Sequence, residues 1–285
     1  MDSQDAQLAE LLQELEKQIA KKDFSLPALP DSAQRVSHAI NDSNVNNDQV
    51  ARIITTDPVL SGRLIQVANS AIFQGLNRID DVKRAISRLG LTCVRNLVVS
   101  LSVNQIFNVK GQPFVKNQLE KIWQNNMKIA AVCEVLARGH WQLEPSQALI
   151  AGLLHNIGTI PILNFLAQEK YAAHAEELIK HAFLKFEPEL SQSILENWNI
   201  GEEISSIPIT IQKLNAEMSG PINYADLVQV ARLHTFRGTS HPLAKVSWAN
   251  VPAFKRMDLT PEASIEAIRL AKKEIDDTIR LLNGK

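Results

Sequence analysis

The sequence is poor in features that would place it in a specialised class of protein. Only two of its 285 residues are cysteine, and a chain of this length buries enough core to fold without disulfide or metal crosslinks. Cys93 and Cys133 each lie in an apolar run with no second Cys or His at ligand spacing, so we expect buried, reduced thiols. The 30 basic and 31 acidic residues give a formal net charge of -1, which leaves no whole-chain bias toward nucleic acid or an anionic membrane.

Long apolar runs are also missing. A membrane-spanning helix requires about 20 apolar residues, and Arg95, Asn96 and Asn104 interrupt the most apolar segment. The amino terminus is acidic at its very start and lacks the basic flank and apolar centre of a secretory signal. We therefore expect a cytoplasmic protein that neither spans a membrane nor binds nucleic acid.

Helical periodicity fills the chain instead, and strand patterns are nearly absent. Asp57-Pro58 and Thr260-Pro261 each combine an N-cap with proline at the first helical position, Asp80 can cap a helix, and Gly90 can end it. We predict an all-α, multi-helix fold in three parts. These are an amphipathic helix over 1–22, a domain over 23–220 with a boundary between 110 and 111, and helices over 221–285 that pack on the domain.

One short motif suggests chemistry. Residues 153–158 read LLHNIG, and an Asp in place of Asn156 would give an adjacent His-Asp pair at the end of an apolar helix. Such a pair supplies one neutral and one anionic ligand to a divalent cation that activates water for phosphoester hydrolysis. The amide of Asn156 carries no charge and bridges two metal ions poorly, so the sequence carries only half of the pair.

Four stretches together resemble the HDOD domain, a bacterial signalling relative of the HD phosphohydrolases. They read FSLPALPDSAQRV, ITTDPVLSGRLIQVANSAIF, IDDVKRAISRLGLTCVRNLVVSLSV and ALIAGLLHNIGTIPIL, and the resemblance runs from about Phe24 to about Leu214. It implies an all-helical fold with an HD-like subdomain whose metal-binding residues are often degraded. It also implies a regulatory and not an enzymatic role.

The resemblance also assigns the positions of the former site. Where the family commonly has a W-x-H-S pattern, this chain has Trp123-Gln124-Asn125-Asn126, so Asn125 replaces the histidine. The His-Asp pair is His155-Asn156, and the pair of histidines expected near Thr210 is absent. Asp226 lies in a family-like A-D-L run. One His and one Asp therefore remain of the three or four protein ligands that a divalent ion needs, and we predict neither a bound metal nor a cofactor.

Simpler interpretations stand beside these assignments. His155 can be a buried imidazole that is hydrogen-bonded within the protein, Asn156 can help to end its helix, and Asp226 can interact with the backbone amides of a first helical turn after Asn223. Consecutive amides at 125 and 126 are unfavourable in a helix interior. We expect Asn125, His155, Asn156 and Asp226 to form a neutral hydrogen-bonded network that fills the old cleft, with a small-ligand pocket as the alternative.

The sequence thus favours a non-enzymatic signal-transduction module that acts through protein–protein contacts. No second domain is evident, so its signalling partners are expected to act in trans. The terminal helices carry apolar stripes that fit core packing, with a homodimer as the alternative. Two alternatives remain, namely a metal-dependent phosphohydrolase with a reduced site that acts on a nucleotide or phosphoester, and a binder of a small nucleotide in the vacated cleft.

Overall fold

The computed structural model describes residues 10–14, 16–17, 26–42, 45–70, 73, 77–107, 113–168, 175–217 and 219–283. Every regular element in these ranges is a helix, as the sequence predicts. The described helices of the first part are α1 (Asp31–Asn41), α2 (Asn47–Thr55), α3 (Pro58–Ala68), α4 (Val82–Leu89) and α5 (Leu91–Phe107).

The long helix α6 opens the part of the chain for which the sequence predicts an HD-like subdomain. Its helices, together with those that follow it, are α6 (Pro113–Ala137), α7 (Pro145–Leu154), α8 (Thr159–Leu166), α9 (Ala175–Lys185), α10 (Glu187–Asn197), α11 (Glu202–Ser205), α12 (Ile207–Thr210), α13 (Tyr224–Phe236), α14 (Pro252–Arg256), α15 (Pro261–Leu270) and α16 (Lys272–Asn283). Two 3₁₀ turns, Pro242–Lys245 and Trp248–Asn250, connect α13 to α14.

Local sequence signals explain most helix boundaries. The Asp57 side chain accepts a hydrogen bond from the Leu60 amide at the start of α3, and Thr260 does the same for the Ala263 amide at the start of α15. Gly90 ends α4 with a φ of 79°, a conformation that L residues rarely adopt. The cap of α4 is a correction, since the side chain of Asp81, and not that of Asp80, accepts from the backbone of the first turn.

The core forms around α5, α6 and α7. Gly152 on α7 lies so close to α6 that a Cβ atom there would approach the Cα of Ala130 to 2.5 Å, so the two helices pack almost backbone to backbone. Helix α13 packs against both of them and is buried along most of its length. Helix α5 is buried along most of its length, and its buried residues include the polar Asn96, Ser100 and Ser102. Cys93 and Cys133 are both buried and unpaired.

The end of the described chain also packs on this core. The helix that carries the carboxyl-terminal apolar stripe is interrupted at Ala271, between α15 and α16. Ile275 and Leu282 on α16 are buried, and the Thr278 hydroxyl donates a 2.8 Å hydrogen bond to the Glu134 carboxylate of α6. At the other end, residues 10–14 and 16–17 are helical, and the rest of the predicted helix over 1–22 lies outside the described residues.

Residues Pro145–Leu166 correct the expectation about apolar runs. This stretch of 22 residues contains α7 and α8, and its most apolar window has a mean hydropathy of 1.6, so it could cross a membrane by length and composition. The structure buries 83% of its most apolar window inside the protein, and residues 155–158 interrupt it with a turn. These are the properties of a core helix pair, which explains the high hydropathy without a membrane.

Candidate functional site

His155 lies in the turn that follows α7 and is 4% exposed. Its Nδ1 is 2.8 Å from the carbonyl oxygen of Gly152, and because a carbonyl only accepts, this nitrogen carries the proton. Burial, and then the positive charge of Arg232, lower the pKa of the imidazole to about 3. His155 is therefore neutral at physiological pH, and one of its two ring nitrogens is already used inside its own helix.

The amide that contacts the HD-like motif is Asn126 and not Asn125. Asn126 is 1% exposed, and its Nδ2 donates to the Asn156 Oδ1 at 2.6 Å and to the Leu153 carbonyl at 3.1 Å. Asn125 is half-buried and makes no side-chain hydrogen bond to another described residue. The oxygen of Asn156 that could have touched a cation is therefore an acceptor for α6.

Asp226 has other partners. It is completely buried at the start of α13, where its Oδ2 accepts from the Asn223 amide while the Asn223 side chain accepts from the Asp226 amide. This reciprocal capping agrees with the local interpretation of Asp226. The Nε of Arg256 lies 2.9 Å and 3.0 Å from the two carboxylate oxygens, so a guanidinium neutralises the charge.

The predicted network of Asn125, His155, Asn156 and Asp226 is therefore wrong as a single hydrogen-bonded unit. In the described part of the chain, each of these side chains is bonded to a different neighbour or to none. The neutral filling of the site comes from three separate contacts, namely His155 with its own helix, Asn156 with Asn126, and Asp226 with Arg256. Whether these positions descend from a metal site stays a prediction.

Three polar residues near His155 escaped the sequence analysis. Glu187 at the start of α10 is 8% exposed, and burial raises the pKa of its carboxyl to about 7. The Ser191 hydroxyl donates to Glu187 at 2.5 Å and accepts from the Gly158 amide at 2.8 Å, which ties the turn after His155 to α10. Arg232 on α13 is partly exposed as a whole, but its Nε is buried, with no hydrogen-bond partner among the described residues.

Arg232 places a positive charge beside this turn. Burial lowers the pKa of its guanidinium, and its charge acts on both Glu187 and His155. The only signal in the sequence was a charged residue inside the otherwise apolar face of α13. Glu187 gave no signal at all, because an acidic residue in a first helical turn is ordinary.

Gly158 permits the close approach of this turn to α10. A Cβ atom on Gly158 would lie 2.6 Å from the carbonyl oxygen of Glu187 and 2.7 Å from the amide nitrogen of Ser191. Real Cβ contacts are longer than this, so another residue at 158 would push α10 away. The glycine in LLHNIG therefore has a packing role that does not depend on any metal.

The residues at the HD-like position do not fit a divalent cation. The Asp226 carboxylate is bound by Arg256, and the Asn156 amide oxygen accepts a hydrogen bond from Asn126. The positive charge of Arg232 would repel a metal cation beside His155. Among the described residues, no group of three or more His, Cys, Asp and Glu side chains is arranged to hold a metal ion. A catalytic site needs about three such ligands and an open position for water.

The fold and this turn define an all-helical protein with an HD-like helix pair. The sequence model of the HDOD domain matches residues 26–212, which is more than half of the chain, and the chain belongs to the HDOD domain family. An uncharacterised protein of Treponema pallidum (strain Nichols) is 25% identical over 183 residues, and the match covers 62% of this chain and 32% of that protein. The chain thus spans about a third of the length of this relative.

Solved structures share the fold. A protein of Shewanella amazonensis SB2B, provisionally named a metal-dependent phosphohydrolase, has a TM-score of 0.74 at 23% identity, over 97% of this chain and 98% of that one. A protein of Marinobacter aquaeolei VT8, provisionally named a signal transduction protein, has a TM-score of 0.58 at 22% identity, over 98% of this chain and 65% of that one. At these identities the likeness concerns the fold, so the function must be argued from this chain's own residues.

Proposed function

We propose that this HDOD protein is a non-catalytic regulatory module that acts in the cytoplasm through contacts with signalling proteins. The observation that supports it most directly is the contact of the Arg256 Nε with both carboxylate oxygens of the buried Asp226. Asp226 is the one acidic residue that remains of the resemblance to a metal site. Its charge is neutralised within the chain, so no anionic ligand is left for a cation at that position.

The chemistry of hydrolysis supports the same proposal. Phosphoester hydrolysis of the HD type depends on a metal ion that lowers the pKa of bound water and neutralises the developing charge. Here the one imidazole is buried and neutral with a ring nitrogen bonded to Gly152, and Asn156 supplies no charge. Glu187 could serve as a base only with access to substrate, but it is buried and bonded to Ser191.

A regulatory role also fits what the fold offers to partners. The polar residues of the described turn after His155 contact other parts of the chain, so we propose that partners dock on outer surfaces and not at this turn. We propose partners that act in trans, with no membrane or nucleic acid among them, and self-association through the terminal helices as a second mode of contact. The burial of Ile275 and Leu282 supports the core-packing role of α16 over that second mode.

The alternative function is a metal-dependent phosphohydrolase, the activity in the provisional name of the Shewanella protein. Its substrate here would be a nucleotide or another phosphoester. A small-nucleotide binder in the vacated cleft is the other candidate. Either would require Asp226 or Arg232 to exchange its present neighbours for a ligand.

Metal analysis and phosphatase assays test the proposal. Protein purified without chelator is analysed for Mn, Fe, Mg, Ni and Zn, and turnover of phosphomonoester and phosphodiester substrates is measured with each metal added. We expect far less than one ion per chain and no turnover above that of a His155→Ala variant. Stoichiometric metal together with turnover that His155→Ala abolishes, and that a His140→Ala control retains, would establish the hydrolase instead.

Co-purification from the native host then examines the positive half of the proposal. A tagged full-length chain should retain specific proteins that a tagged unrelated helical protein does not retain. If cross-linking before lysis also captures no protein, then the role in protein–protein signalling is wrong even when the metal test agrees with us.

A further inference from the structure

A polar cleft lies between the two parts of the HDOD domain, away from His155. Its wide end has a volume of about 260 Å³ and lies between the segment that precedes α1, one face of α1, and the end of α10. A narrow continuation of about 20 Å³ runs toward α5 and α7. Ser37, Asn41, Trp198 and Asn199 line both hollows, so the two form one continuous cleft.

The wide end presents amide groups that have no protein partner. Gln34, Asn41, Asn197 and Asn199 line it, and none of their side chains hydrogen-bonds to another residue in the described ranges. The Ser37 hydroxyl oxygen is buried there and likewise finds no acceptor or donor among the described side chains and backbone. Amides offer a donor and an acceptor side by side, which matches a ligand whose edge carries both.

The remaining walls restrict the ligand further. Leu26, Pro27 and Trp198 supply apolar surface, and the indole is held in place because its Nε1 donates to the Pro27 carbonyl at 2.9 Å. Of the described residues that line either hollow, none is acidic. Amines and metal cations would therefore find no counter-charge in the cleft, whereas a flat neutral ring with polar edges meets both kinds of surface.

Arg95 adds one cationic group at the narrow end. It is half-buried, and its guanidinium forms no ion pair or hydrogen bond with any residue in the described part of the chain. The narrow hollow can hold about one water-sized group, since about 10–15 Å³ suffices for a water molecule. A ligand in the wide end can thus reach Arg95 with a single acceptor oxygen or through one bridging water.

From these features we infer that the cleft binds a nucleobase or nucleoside, with the base edge on the unpaired amides and an acceptor oxygen directed to Arg95. The wide end lies just below the range of about 300–1,000 Å³ typical of sites for drug-sized ligands, as a base or nucleoside requires. Because α1 and α10 belong to different parts of the domain, such a ligand would bridge them and stabilise one relative arrangement. The ligand would thereby provide an input to the regulatory role proposed above.

Binding is tested on the full chain by isothermal titration calorimetry with adenosine, guanosine, cytidine, uridine and their free bases. Ribose and glutamine are the comparison ligands, since they share the hydroxyl and amide groups but lack a base. We expect at least one base or nucleoside to bind saturably at one site per chain and to raise the melting temperature by mass action. No saturable binding of any base or nucleoside, or binding of ribose or glutamine as tight as theirs, overturns the inference.

Variants then locate the binding site. Asn199 has a φ of 53°, so Asn199→Gly removes the amide without straining the backbone, and we expect the dissociation constant to rise about tenfold. Ser37→Met fills the junction of the two hollows and should abolish binding. Asn164→Ala removes an exposed amide on α8 and should change nothing. Binding that Asn199→Gly and Ser37→Met leave unchanged lies elsewhere and refutes this site, while the metal and phosphatase results above are unaffected.

Discussion

Replacement of Arg256 by methionine tests the contact on which the proposed function depends. Asp226 is fully buried, and the Arg256 side chain is only 13% exposed. Methionine keeps much of the apolar stem but removes the guanidinium, so a buried carboxylate loses its counter-charge. Removal of one partner of a buried ion pair costs about 3–5 kcal/mol. We expect the low end, about 3 kcal/mol, because the Asn223 amide still donates to Asp226.

Urea denaturation followed by far-UV circular dichroism measures this cost. With a denaturant slope of about 3 kcal/mol per molar for a chain of this size, the midpoint should fall by about 1 M. Lys83→Met is the matched control, since it breaks a non-local pair with Asp48 at 2.7 Å whose side chains are 62% and 57% exposed. An exposed pair of this kind contributes no more than about 1 kcal/mol, and often much less.

A double-mutant cycle separates the pair from the packing. Asp226→Asn keeps an acceptor for the Asn223 amide, and Arg256 keeps its contacts with the Gly220 and Pro221 carbonyls, so this variant should cost less than Arg256→Met. We expect a coupling energy of about 2 kcal/mol between the two sites. A coupling below about 0.5 kcal/mol, or an Arg256→Met cost equal to that of Lys83→Met, would refute the view that Arg256 neutralises Asp226.

Three further variants probe the turn after His155. Gly158→Ala should lower the free energy of unfolding by about 2–3 kcal/mol because the new Cβ has no room against α10. Gly62→Ala is the control, since open space surrounds Gly62, and this variant should be neutral or stabilising. Equal effects of the two variants in urea denaturation would contradict the packing role of Gly158. The raised pKa of Glu187, about 7, means that its contribution to stability is present below pH 4.5 and is lost as pH rises to 7. The free energy of unfolding of Glu187→Gln, measured by urea titration, should therefore rise relative to that of the unsubstituted chain as pH increases from 5 to 8. A difference between the two chains that stays constant with pH would refute the raised pKa. Titration calorimetry of Asn156→Asp should detect no metal binding, because Asp226 stays bound to Arg256. Stoichiometric binding of zinc or manganese to this variant would show that only one ligand was missing.

Signals that act over a few residues explain why the helices could be predicted. Caps such as Asp57 and Thr260 satisfy amides within their own first turn, so the neighbouring sequence contains the whole interaction. Asp80 and Asp81 mark the limit of this reasoning. Both are acidic and precede the same helix, and the choice between them depends on the backbone conformation of Asp81, which is extended at the cap.

The site was harder to predict because its contacts are long-range. Residues 125 and 126 point about 100° apart on α6, and the family pattern drew attention to Asn125. Asn126 shares a helical face with Ile129 and Cys133, which are buried, and this spacing is a physical signal for the amide that contacts α7. Helical phase was therefore a better guide here than the position in a motif.

Arg256 shows why a count of candidate ligands is not enough to judge a metal site. It lies 30 residues after Asp226, on a short helix with no recognisable relation to the HD-like motif, and no local pattern could predict the pair. From the sequence, Asp226 was one of two remaining candidate ligands, and one or two substitutions could in principle provide the others. In the structure, the Asp226 carboxylate completes a helix cap and binds the Arg256 guanidinium. Asp226 would have to give up both contacts in order to bind a metal ion. Metal-dependent hydrolysis at this turn would then require coordinated changes at Asn156, Asp226 and Arg256, which no single substitution can supply.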